Sequence, residues 1–140
     1  MPITKTYRDN PVDWSLLTKP YKMIVYINAD GCESCKMQIL ESMHKIVVET
    51  MPFEKFGVVV ILHPSHFEVP DYFLEQIQYE FTIFYDLDGS FERINPQLPQ
   101  NEKFHIFLLD DNNKVIIVGN PVNSPKLMKL YFEILKEKHQ

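Results

Sequence analysis

Two continuous apolar runs with a helix-period stretch between them set the tightest limit on how this chain can fold. KMIVYIN (Lys22–Asn28) and FGVVVILH (Phe56–His63) are short, β-branched and apolar along their length, the pattern of buried strands. Between them Met37, Leu40, Met43, Ile46, Val47 and Thr50 recur at steps of three and four, which predicts an amphipathic helix ending before Pro52. A strand, a helix and a second strand in this order imply parallel pairing through a right-handed crossover.

The remaining segments extend that unit. PDYFLEQIQ (Pro70–Gln78) reads as a short helix with Pro70 in its first turn, and FTIFYD (Phe81–Asp86) as a shorter strand. LDGSFERINPQLPQNEK is mostly turn and loop, with one helical turn around SFERI. FHIFLLD (Phe104–Asp110) and KVIIVG (Lys114–Gly119) flank the polar turn DNN and predict a β-hairpin. The chain closes with a helix capped by Ser124, started by Pro125, and burying Leu127, Leu130, Tyr131, Ile134 and Leu135. Residues 1–20 carry Pro11 and Pro20 and read as an irregular arm with one helical turn around VDWSLL; residues 21–140 form one domain. The expected architecture is a three-layer α/β/α sandwich around a mixed central sheet.

Composition narrows the function classes. With 45% hydrophobic residues in 140, the chain can build a core without disulfide staples. The formal charge is −5 and the 14 Lys and Arg are scattered, so a nucleic-acid partner is not expected. No run of 18 apolar residues exists, hence no expected membrane span. The opening MPITKTYRDNPVDW is polar and unlike a signal peptide, which points to the cytoplasm unless an export signal was trimmed.

The chemistry-bearing residues are Cys32 and Cys35, the only cysteines, in ADGCESC. They lie where the first strand gives way to the helix. Free N–H groups and the helix dipole at that end favour a thiolate, and a lowered pKa is what a thiol needs to attack a disulfide. Cys32, nearer the mouth, is expected to attack, and Cys35 to resolve the mixed disulfide. The neighbouring carboxylates of Asp30 and Glu33 oppose the dipole and raise the cysteine pKa values. Two other readings stand beside this one: half of a metal site, and a pair without chemistry. His63 and His66, in ILHPSHF, read as loop histidines near the sheet's carboxyl edge, and His44 and His139 as helix surface.

IVYINADGCESCKMQI and FHIFLLDDNNKVIIVGNP resemble the thioredoxin-like superfamily, and within it the secreted or membrane-tethered thiol-disulfide oxidoreductases of the TlpA/ResA kind. The resemblance runs from about Lys22 to the C-terminus. It implies a thioredoxin-like fold and a redox-active disulfide, with no organic cofactor. It also implies a protein disulfide substrate, an electron-donor protein, and a bacterial periplasm or cell envelope as the location. Glu33 and Ser34 are then the residues between the cysteines. Three positions depart from the family. Gly31 stands where Trp normally precedes the first cysteine. Tyr26 stands where many thioredoxins bury an acid. Phe104 or His105 takes the place of the cis-proline that faces the sulfurs, and a trans peptide is expected there. The loss of that proline would let His105 approach the dithiol. A Cys32, Cys35, His105 set for zinc or copper is therefore the main alternative, with a non-catalytic binding domain as a third.

Overall fold

The computed structural model describes residues 3–5, 13–28, 33–63, 82–86, 89–99 and 105–140, with the backbone alone for 3–5 and 33–38. The described strands are β1 (Ile3–Lys5), β2 (Tyr21–Ile27), β3 (Phe56–Leu62), β4 (Ile83–Tyr85), β5 (Ile106–Leu109) and β6 (Val115–Val118). The helices are α1 (Glu33–Thr50), α2 (Ser90–Ile94) and α3 (Pro125–Lys138). The strands make one sheet in the order β1-β4-β3-β2-β5-β6. β2, β3 and β4 run parallel, while β1, β5 and β6 each pair antiparallel with their neighbours, so the sheet is mixed as expected.

Strand alternation sorts the core into two layers. Tyr21, Met23, Val25 and Ile27 of β2 face the same side as Val58, Val60 and Leu62 of β3. Leu40, Met43 and Ile46 of α1, with Tyr131 and Leu135 of α3, close that side. Ile24, Tyr26, Val59, Ile61, Phe84 and Phe107 face the other side, under Leu16, Leu17 and Phe91. α1 and α3 therefore share one face. On the other, a 3-10 turn at Trp14–Thr18 and the short α2 form the third layer among the described residues. Gly57 permits the close approach of that turn, because a Cβ there would sit 3.0 Å from both Leu16 and Lys19.

Two expectations change. The arm at residues 1–20 is not irregular throughout, since Ile3–Lys5 pairs with Tyr85, Phe84 and Ile83. A three-residue strand is too short to carry a periodic signal, and only the open edge of β4 recruits it. Leu130 is not core but 43% exposed, although Tyr131 and Leu135 are buried as predicted. The 3.6-residue turn carries position 130 off the stripe that 131 and 135 define. The expected helix at Pro70–Gln78 lies outside the described residues. The Ser124 cap does form, its side chain accepting the Leu127 N–H at 3.2 Å. Leu135→Ala should cost about 2–5 kcal/mol by leaving a cavity. Leu130→Ala should stay within about 0.5 kcal/mol; urea unfolding of the two variants checks the assignment.

The hairpin turn is held by one carboxylate. Asp110 accepts the N–H groups of Asn112 at 2.8 Å and Lys114 at 3.0 Å, while Asn113 takes a left-handed φ of 59°. The backbone bonds from Lys114 and Asn112 lower the Asp110 pKa below its ordinary value. A carboxyl depressed on folding stabilises the native state above its unfolded pKa and loses that effect as pH falls through the folded one. Asp110→Ala should thus lower the melting temperature near neutrality, and the gap from wild type should close in acid. A carboxyl NMR titration should place Asp110 below ordinary aspartate.

Candidate dithiol site

The sheet's carboxyl edge is built where β2 ends at Ile27 and α1 begins at Glu33. Cys32 is the residue immediately before that helix and lies outside the described residues, as do Gly31, Asp30 and Phe104. Glu33, Ser34 and Cys35 occupy the first turn of α1 by backbone. The helix thus starts where the sequence places it, next to the cysteine pair.

Tyr26 and His105 are drawn together beneath this edge. The Tyr26 N–H donates to the His105 carbonyl at 2.9 Å, extending the β2–β5 ladder by one residue. Both side chains are 3% exposed, and their rings meet edge to face with centroids 5.4 Å apart. They lie on the Phe91 side of the sheet, opposite α1. Phe91 stacks on Tyr26 at 4.7 Å, and the Tyr26 hydroxyl donates to Glu92 Oε2 at 2.8 Å. The phenol has therefore acquired a carboxylate partner, from a helix of five residues.

His105 is committed to a backbone contact. Its Nε2 lies 2.7 Å from the Pro99 carbonyl, which can only accept, so Nε2 carries the proton. In the neutral ring this leaves Nδ1 as the nitrogen with a lone pair. No cis peptide occurs among the described residues; the Phe104–His105 bond involves a residue outside them. Among the described residues, which include neither cysteine side chain, no three His, Cys, Asp or Glu side chains group closely enough to hold a metal ion. Tyr26, Asn28, His105 and Ile39, the last one helical turn beyond Cys35, are among the residues that line a small cavity of about 30 Å³.

His63 and His139 have backbone partners. His63 is half-buried at the end of β3, with its Nδ1 donating to the Asp86 carbonyl at 2.7 Å. His139 is not a free surface residue: its Nδ1 donates to Leu135 O at 2.7 Å while its Nε2 accepts the Lys55 N–H at 2.9 Å. His66 lies outside the described residues.

Sequence reasoning located SFERI but not the use made of it. The Asp86 carboxylate accepts the N–H groups of Ser90 and Phe91, both at 2.9 Å, and so aims α2 at Tyr26. A D-x-x-x-S spacing before a short helical turn was the available signal. Tyr26→Phe should lower stability by about 1–2 kcal/mol through loss of a charge-assisted hydrogen bond. Glu92→Gln, which still accepts, should lose less, and a double-mutant cycle in urea should show the two effects coupled.

No family model matches the chain, and no curated protein does. Solved structures match it along most of its length. One assigned as the thiol:disulfide interchange protein DsbE of Chlorobium tepidum superposes with a TM-score of 0.67 at 21% identity, covering 96% of this chain and 94% of that one. The thioredoxin domain of a thiol-disulfide oxidoreductase from Bacteroides vulgatus gives 0.59 at 13% identity, over 92% and 94%. A secreted disulfide oxidoreductase of Mycobacterium tuberculosis, described as homologous to DsbE, gives 0.51 at 15% identity, over 74% and 71%. With the mixed sheet, and a C-x-x-C in sequence at the start of the helix that follows β2, these likenesses identify the architecture: the chain has the thioredoxin-like fold.

Proposed function

We propose that this chain is a protein dithiol-disulfide oxidoreductase. The observation that carries the reading is the start of α1 at Glu33, directly after Cys32, at the carboxyl end of β2 in a thioredoxin-like sheet. Structures that superpose on this fold include the oxidoreductases named above.

In the reaction, the Cys32 thiolate attacks one sulfur of a partner's disulfide. A mixed disulfide forms and the partner's second sulfur leaves as a thiolate, which takes a proton. Cys35, once deprotonated, attacks the Cys32 sulfur, releases the reduced partner and leaves a Cys32–Cys35 disulfide. An electron-donor protein returns two electrons and two protons to complete a cycle. The same steps reversed oxidise a partner, and the direction follows the potential of the compartment. The bacterial envelope is the location that fits, because the matching Mycobacterium protein is described as secreted.

Tyr26, with its Glu92 partner, stands at the sequence position where many thioredoxins bury an acid, and Phe104 or His105 takes the position of the cis-proline. The His105 ring meets Tyr26 on the face of the sheet opposite α1, whose first turn carries Cys35, and this supports disulfide exchange over a Cys32, Cys35, His105 metal set.

A redox titration in thiol/disulfide buffers, read by acid quench, alkylation and mass, tests the proposal. A reversible two-electron transition between about −120 and −300 mV is expected. Cys35→Ala should accumulate a mixed disulfide with its partner, and Cys32→Ala should not. Cysteines that stay reduced throughout, or resist alkylation until a chelator is added, would overturn it.

A further inference from the structure

β6 ends the sheet, with no described strand on its outer side. Nine large hydrophobic side chains are exposed among the described residues. Three of them, Val115 (53%), Ile116 (42%) and Val118 (45%), crowd into this four-residue strand. Edge strands are normally blunted by charge, proline or shortness. β1 at the opposite edge follows that rule, being three residues long and ending in Lys5. VIIV is also short and has a bulge at its start, where Leu109 pairs with Val115 while Leu108 pairs with Ile117, but it carries neither charge nor proline.

The main chain offers a specific set of groups on that side. The Gly119 N–H donates inward to Ile106 at 2.7 Å. Alternation then turns the Val118 N–H and C=O outward, together with the Ile116 C=O. A second copy placed antiparallel about a two-fold axis at Ile117 pairs two of these three groups across the seam. The Val118 N–H of each copy faces the Ile116 C=O of the other. Val115 falls opposite Gly119, which has no side chain to obstruct it, and Lys114 falls opposite Asn120, so no like charges meet.

The axis stands normal to the sheet, so equivalent faces stay on one side. Val115 and Val118, with Leu98, Pro99, Phe107 and Leu109, line an apolar cavity of about 320 Å³ on the face away from α1. Pairing at β6 joins the two cavities into one trough across the seam, which adds side-chain burial to the main-chain bonds. β6 runs parallel to β2, so the carboxyl ends of the two β2 strands point in opposite directions.

We propose that β6 is the seam of a homodimer in which two six-stranded sheets become continuous. The inference is independent of the dithiol reading. Sedimentation equilibrium over a wide concentration range tests it, and a dimer is expected for wild type. Val118→Lys places an ammonium at the seam and should weaken the dimer at least about tenfold, equivalent to about 1.4 kcal/mol. Val118→Pro removes an N–H that the β5–β6 ladder does not use and should have the same effect. Met51→Lys, at an exposed site outside β6, should leave the dimer unchanged. Circular dichroism establishes that each variant is folded; if the proline variant is not, Val118→Lys decides alone. A wild-type monomer at all concentrations overturns the proposal, as does a dimer that survives in folded Val118 variants. A monomer whose β6 amides become protected only on adding an extended apolar peptide assigns the edge to another partner and also overturns it.

Discussion

The parallel pairing of β2 with β3 is the constraint on which the rest of the structure depends. Seven residues of each strand run in register from Tyr21↔Phe56 to Ile27↔Leu62, and both faces of the pair are covered. Parallel strands cannot be joined by a tight turn, so the chain must cross the sheet between them, and α1 is that crossing. The crossover sets α1 on one face, with its first residue next after the carboxyl end of β2 and its last leading into β3. Everything proposed for Cys32 and Cys35 follows from that starting point.

β5 then decides what lies beside the edge. It pairs antiparallel with β2, so the residue that precedes it, His105, comes level with Tyr26. Strand alternation sends both rings to the face opposite α1. There Phe91, Glu92 and the Pro99 carbonyl receive them. The buried phenol and imidazole are tolerable because each polar atom named here has found a partner; an unpaired one would cost about 1–3 kcal/mol. The same alternation turns Val118 to that face, the bulge in β6 brings Val115 to it as well, and both are left over an open groove at the far edge.

Much of this was legible in the chain. The runs at Lys22 and Phe56, the helix period from Met37 to Thr50, the DNN turn and the Ser124–Pro125 start of the last helix all came out at or near their expected positions. Each is a local signal, because burial on both faces, one-sided burial, a left-handed turn and a cap select residue types at fixed spacing. The strand at Ile3–Lys5 was not legible, since three residues pair only when an edge is offered. Leu130 was misplaced because a helical stripe predicts a face and not its width.

The sequence by itself determined the α/β order, the parallel unit and the position of the C-x-x-C at a strand-to-helix junction. These follow from periodicity and from the reach of the chain between strands. Only the tertiary structure decided that Tyr26 bonds to Glu92, that His105 is tied to Pro99, and that His139 bridges Leu135 and Lys55. It alone also shows that β6 is left as an apolar edge. Such pairings join residues far apart in the chain, and sequence spacing carries no distance between them. They exist because the sheet order sets those strands and helices side by side.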